Sequence, residues 1–199
     1  MKYLLMCGGK YKGEEELPRH MTLVEGEPLV QRTIRMLRDL GIEDIAITSN
    51  NPIFEQFGVP VLHHENTYSA RKYNDWDGHW VDAFYPMDEP VCYIFGDVVF
   101  TENALRKIVQ TETNSIQFFA SAPPFSRLFP KTSAEPFALK VVDTDLLKTS
   151  IDRVKQLYEW GCFARRPIMW ELWQVIKGTP INKINYSNYV VINDATCDL

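Results

Sequence analysis

Tyr3-Leu4-Leu5-Met6 runs directly into Cys7-Gly8-Gly9, and this junction decides how the rest of the chain is read. A short apolar run closed by a glycine pair reads as a buried strand breaking into a loop. Residues 10–19 are polar, charged and without periodicity, as an exposed loop is. Pro28 then opens a helix, with Val30, Ile34 and Leu37 on one face, Arg32, Arg35 and Arg38 mostly off it, and Gly41 placed as a stop.

Strands are expected at 44–48, 59–62 and 91–95. The last, Val91-Cys92-Tyr93-Ile94-Phe95, is apolar nearly throughout, which suits a parallel sheet covered on both faces. A helix over 102–110 with Thr101 as its cap and a strand over 116–120 continue the alternation. The pattern predicts an α/β fold, a three-layer sandwich with a mainly parallel central sheet and ligands at the carboxyl ends of its strands. Further on, residues 123–136 read as a loop, 137–142 and 189–192 as strands, and 145–160 and 168–177 as helices.

The chain has 199 residues, enough for one buried core, with no low-complexity linker to split it, so a single domain over 1–199 is expected. Its 45% hydrophobic and 24% charged residues are ordinary for a globular protein. No apolar run has the length of a membrane span, and the first residues are too short an apolar stretch for a signal peptide, so a cytoplasmic protein without a membrane partner is expected. A net charge of -5 argues against a nucleic-acid partner, which needs a concentrated basic surface. Cys7, Cys92, Cys162 and Cys197 are scattered without metal-ligand spacing, and His63-His64 lacks a third ligand, so neither set is assigned a metal.

Several segments could carry chemistry. Gly8-Gly9 after a strand exposes backbone N–H groups to an anion, and Lys10, Lys12 and Arg19 lie in the same loop with full positive charges. A tight turn with solvated lysines is the competing reading. In Phe95-Gly96-Asp97 an apolar strand ends on a carboxylate beside a glycine that lets a ligand come close, a suitable place for Mg²⁺ against phosphate oxygens; a turn former or helix cap is the equal alternative. Asp194, after the final strand, is either a second metal ligand or a cap. Tyr68, Tyr73, Trp76, Trp80 and Phe84 could wall a base or sugar pocket, although packing onto the sheet suits Trp80 and Phe84 better. Trp170 and Trp173, spaced by three, fit core or homodimer contact rather than a ligand platform.

Together these stretches carry a resemblance. The opening with Pro18-Arg19, Gly26-Glu27-Pro28-Leu29 and Gly41-Ile42-Glu43-Asp44-Ile45, the strand end Tyr93-Ile94-Phe95-Gly96-Asp97, and the closing Asn193-Asp194-Ala195-Thr196-Cys197-Asp198-Leu199 resemble, in order and spacing, the sugar-nucleotide and cytidylyl nucleotidyltransferases of GT-A-like fold. The loop departs from that family's Gly-x-Gly-x-Arg pattern, since Gly9 is followed by Lys10-Tyr11-Lys12-Gly13, and the family's Pro-Lys pair is Pro18-Arg19 here. Arg keeps the charge but not the geometry of an ammonium.

The resemblance implies transfer of a nucleoside monophosphate from a nucleoside triphosphate to a small phosphorylated acceptor such as a sugar phosphate, with Mg²⁺ and release of pyrophosphate. It favours CTP through the short single-domain plan and the Asp-Leu ending. On that reading Asp97 and Asp194 hold the metal, and Cys7, Gly8, Gly9 and Gly96 line the nucleotide. Arg19, Lys10 and Lys12 act on the phosphates, and Lys131 and Glu135 face the acceptor, with solvated loop charges as the more common alternative for that pair. Sharing one ion requires the 189–192 strand to lie next to the strand ending at Phe95. Two alternatives stand beside it. A nucleotide-sugar glycosyltransferase of the same fold usually shows Asp-x-Asp, whereas Asp97 is followed by Val98-Val99. A non-catalytic nucleotide-binding or regulatory module would fit the altered loop.

Overall fold

The computed structural model describes residues 1–8, 17–64, 79–123, 134–163 and 165–196. In chain order its elements are β1 (Lys2–Met6), β2 (Leu23–Val24), β3 (Glu27–Pro28), α1 (Leu29–Asp39), β4 (Ile45–Thr48), β5 (Val61–Leu62), β6 (Val91–Phe95), β7 (Val99–Phe100), α2 (Glu102–Gln110), β8 (Ile116–Ala120), β9 (Pro136–Val141), α3 (Thr144–Glu159), α4 (Met169–Ile176), β10 (Val190–Val191) and β11 (Ala195–Thr196). Short 3-10 turns sit at Arg19–Met21, Pro52–Phe57 and Trp80–Ala83.

Seven strands form one sheet in the order β10-β8-β9-β6-β1-β4-β5. The β1–β4, β1–β6, β4–β5 and β8–β10 pairs are parallel, and β9 runs antiparallel to both of its neighbours, β6 and β8. Every residue of β4 and β6 is buried. Because successive side chains point to opposite faces, that pattern requires cover on both. The three-layer α/β sandwich expected from the strand-helix alternation is the architecture found.

The helices follow from local signals. In α1 the buried set Leu29, Val30, Thr33, Ile34, Met36 and Leu37 forms the apolar face, while Arg35 reaches back to Glu27. Arg32 leans off the helix, and its guanidinium donates to Phe100 O at 2.6 Å, tying α1 to β7. In α2 the Thr101 hydroxyl accepts from Ala104 N–H at 3.1 Å, a side-chain N-cap. Lys140, buried in mid-β9, donates to Val109 O and Thr111 O and so closes the carboxyl end of the same helix. Trp170 and Trp173 are buried in the core, where Phe118 packs against both rings. Trp80 and Phe84 also pack inward, onto Phe95 and Tyr93 respectively. Among the described residues no helix is long and apolar enough to cross a membrane.

One expected neighbour relation does not hold. β10 lies at the sheet edge beside β8, with β8 and β9 between it and β6. The chain after β10 instead crosses to pair β11 with β7, antiparallel, in a separate two-stranded ribbon.

Candidate functional site at the carboxyl edge of the sheet

Register brings three strand ends together. Met6 of β1 pairs with Thr48 of β4 on one side and Phe95 of β6 on the other. Cys7-Gly8, Ser49-Asn50 and Gly96-Asp97 therefore leave the sheet side by side at its carboxyl edge, the place where this architecture binds ligands. Hydrogen bonds carry the register one residue further. Cys7 N–H donates to Thr48 O at 3.0 Å and Gly96 N–H to Met6 O at 3.1 Å. The buried Ser49 hydroxyl donates to Cys7 O at 3.1 Å. Cys7 thus turns inward with both main-chain groups bonded and its thiol buried, whereas Gly8 is exposed at the rim.

Gly96 is glycine for a reason the sequence does not display. A Cβ there would stand 2.7 Å from Cys7 Sγ, 2.8 Å from His20 Cδ2 and 2.8 Å from Met6 O. The missing side chain lets the ends of β1 and β6 and the ring of His20 close on one another, so the space on that side of Gly96 is filled by protein. Asp97, the next residue, is half-buried at the rim.

Arg19 and His20 arrive on the 3-10 turn Arg19–Met21, started by Pro18 at φ -51° and closed by Met21 N–H donating to Pro18 O at 2.7 Å. Beyond the turn, Thr22 O accepts from Leu29 N–H, and the β2–β3 hairpin reverses through Glu25 and Gly26. Both have left-handed φ, of 55° and 83°, as a two-residue hairpin turn of the I′ kind requires. The result is a rigid mount on which Arg19 is exposed and His20 is buried.

Burial pulls the His20 imidazole below its ordinary pKa, and the Arg19 charge pulls the same way; the Asp97 carboxylate and a hydrogen bond to Met6 O oppose them. The Cys7 thiol is pushed up, mainly by burial and further by Asp97. Both groups are neutral near pH 7, which leaves Asp97 and Arg19 as the charged side chains that these strand ends and the turn present.

Glu135 belongs to the same edge. Because β9 is antiparallel to β6 and β8, its first residues lie at the carboxyl end of the parallel strands: Pro136 pairs with Ala120 and Ala138 with Ile94. Glu135 N–H donates to Ser121 Oγ at 2.8 Å, and Ser121 N–H donates to Glu135 O at 2.9 Å. Asp194 is brought in by β11 rather than by a strand next to β6. The pairing of Ala195 with Phe100 sets it level with Thr101, and its Oδ2 accepts from the Thr101 hydroxyl at 2.6 Å. There it reinforces the cap of α2 and adds negative charge at that helix's N-terminus. Gly9, Lys10, Lys12, Lys131, Tyr68, Tyr73 and Trp76 lie outside the described residues.

His20 escaped the sequence reading because a single histidine in an aperiodic segment has no pattern to join. Its one signal was the position after Pro18-Arg19. A cavity of about 560 Å³ lies apart from this edge, against α3, with Phe84, Tyr85, Met87, Tyr93, Leu147 and Ile151 on its walls. None of Gly8, Arg19, Asp97 or Glu135 lines it. Among the described residues no group of three or more His, Cys, Asp or Glu side chains could hold a metal ion.

No protein-family model matches this sequence, and no curated protein matches it. Solved structures do match. The inositol-1-phosphate CTP transferase from T. maritima is 13% identical, with 92% of this chain and 83% of that chain covered and a TM-score of 0.52. A CTP:phosphocholine cytidylyltransferase from Streptococcus pneumoniae is also 13% identical, with 98% and 91% covered and a TM-score of 0.52. The shared property is the fold: this chain has the α/β architecture of the nucleotidyltransferases.

Proposed function

We propose that this chain is a nucleotidyltransferase that moves a nucleoside monophosphate from a nucleoside triphosphate, with CTP favoured, to a small phosphorylated acceptor such as a sugar phosphate. The observation that supports the reading is the carboxyl edge where β1, β4 and β6 end together, with Gly8 and Asp97 following two of those strands and the turn that bears Arg19 packed on Gly96 through His20. A backbone N–H without a Cβ beside it and a guanidinium can donate to a triphosphate, and a carboxylate can hold the cation that balances its charge.

In this reaction an acceptor phosphate oxygen attacks the α-phosphorus, the bond between the α-phosphorus and its bridging oxygen breaks, and pyrophosphate leaves with the electron pair. Such displacements need little covalent help, so the protein's part is to align the reactants and stabilise charge. Gly8 receives a phosphate oxygen, and Arg19, exposed on its rigid turn, faces the negative charge that grows on the leaving group. Lys10 and Lys12 are proposed to assist it, and Lys131 and Glu135 to hold the acceptor, Glu135 through a hydroxyl. Asp97 fits Mg²⁺, which is commonly bound by one or two carboxylates, substrate phosphates and waters. Bound there, the ion supplies charge neutralisation for the triphosphate. Asp194, which accepts from the Thr101 hydroxyl four residues beyond Asp97, is proposed as the second carboxylate.

The test is a thermal-shift panel of CTP, ATP, GTP and UTP with and without Mg²⁺, followed by pyrophosphate release in the presence of sugar phosphates. A ligand that binds only the folded state at a hundred times its Kd adds about 2.7 kcal/mol of apparent stability. CTP should give the largest Mg²⁺-dependent shift, and Asp97→Ala should abolish it while the fold survives. Arg19→Ala should lower turnover with a smaller change in apparent nucleotide affinity. Nucleotide binding without pyrophosphate release from any acceptor would point to a non-catalytic nucleotide-binding module. No shift with any nucleotide would refute both.

A further inference from the structure

We propose that His20 is a positioning residue of this site: its ring is the spacer between Phe54 and the Gly96 backbone that fixes where the Asp97 carboxylate stands. The importance of that position for turnover rests on the nucleotidyltransferase reading; the position itself does not.

Three contacts define the spacer. On one side the ring meets Phe54 edge-on, with centroids 5.7 Å apart and planes at 87°. Phe54 is itself fully buried, on a 3-10 turn anchored to the end of β4, where Asn51 N–H donates to Ser49 Oγ and the Asn51 side chain accepts from Ile53 N–H. On the other side, His20 Cδ2 lies 2.8 Å from where a Gly96 Cβ would be, which places the ring against the backbone next to Asp97. Across the top, the imidazole is hydrogen-bonded to Met6 O, the carbonyl that also accepts from Gly96 N–H.

A continuous line of packed groups therefore runs from β4 through Ser49, Asn51 and Phe54 to His20, Gly96 and Asp97. Gly96 N–H on Met6 O and the Cys7 side chain hold the turn on its other sides, so removing the ring empties the space toward Phe54 and lets the turn settle that way. An amide of similar length can fill the space and keep a hydrogen bond to Met6 O, but it does not titrate. Glutamine should therefore restore the geometry if His20 acts by its place rather than by its charge.

The experiment compares wild type, His20→Ala and His20→Gln in two measurements: crystal structures of the metal-free proteins, and the Mg²⁺ concentration giving half of the thermal shift with CTP. In His20→Ala the Asp97 carboxylate should move by more than about 1 Å. The half-saturating Mg²⁺ concentration should rise about 10- to 100-fold. His20→Gln should recover most of both losses. If His20→Ala does not fold, His20→Asn serves as the shorter side chain, with the same displacement expected. An Asp97 that stays in place without the ring overturns the proposal, and so does a glutamine variant as impaired as alanine. A wild type with no Mg²⁺-dependent CTP shift would sink the enzymatic reading instead, and the displacement of Asp97 would still decide the role of His20.

Discussion

Gly96→Ala is the sharpest probe of how this site is built. The substitution adds one methyl group, and at that point three atoms already stand at 2.7, 2.8 and 2.8 Å. Ordinary van der Waals contact begins at 3.4 Å, so these neighbours must retreat by roughly half an ångström or more. None can do so easily. Met6 O is backbone and accepts from Gly96 N–H, the Cys7 side chain is buried, and the His20 ring is blocked by Phe54. Overpacking by one methylene typically costs about 1–3 kcal/mol, and a site with no compliant neighbour belongs at the upper end, about 3 kcal/mol. For a domain of this size each kcal/mol lowers Tm by about 2–4 °C, so a drop of about 6–12 °C is expected by calorimetry, with a matching fall in the urea midpoint. Cys7→Ala removes one of the three contacts. Combined with Gly96→Ala it should therefore be less destabilising than the sum of the single variants by about 0.5–1 kcal/mol. A Gly96→Ala protein melting within about 2 °C of wild type would refute the close-packed account of this rim.

Thr101→Val removes both the cap of α2 and the partner of Asp194, and should lower stability in urea by about 1–2 kcal/mol. Asp194→Ala loses only the second of these and should cost less; an equal loss would show that Asp194 does more than support the cap. His79 is held below its ordinary pKa of 6.5 by burial first, with Lys155 and Arg166 adding to it and Asp82 and Glu159 opposing. The unfolded chain therefore binds more protons than the folded one in the window just below 6.5. Its contribution to stability is present above that window and is lost as pH falls through it. His79→Gln should flatten the urea midpoint against pH between about pH 5 and 7, and an unchanged slope would remove His79 as the cause.

Where pattern is long, the fold was legible in the sequence. The apolar face of α1, the Thr101 cap and the unbroken run of β6 each persist over enough residues to be read locally. Direction and partner are not local properties. Nothing in Phe137-Ala138-Leu139 says that β9 runs against its neighbours, and two-residue strands such as β2, β3, β7 and β11 have no period to display. The site was legible in part for the same reason. Gly8 and Asp97 sit at ends of visible strands. The strand before Asp194 was misjudged as a neighbour of β6, because strand order, and the pairing of Ala195 with Phe100 that sets Asp194 by Thr101, appear only in the folded chain. Gly96 was seen, but the reason for it, closeness to Cys7 and His20, belongs to tertiary structure.

The β7–β11 ribbon also bears on the order in which the molecule is assembled. The bond between Thr101 and Asp194 closes a loop spanning 93 positions, whereas β1, β4 and β6 need only the first hundred residues to find each other. Loop-closure entropy grows with the logarithm of length, and contacts between distant parts of a chain slow folding. During synthesis the strand ends that frame the rim can therefore gather while the ribbon's second strand is still inside the ribosome. The segment just beyond Asp97 therefore gains this clamp later than the strand ends gather, because the clamp must wait for residues 194–196.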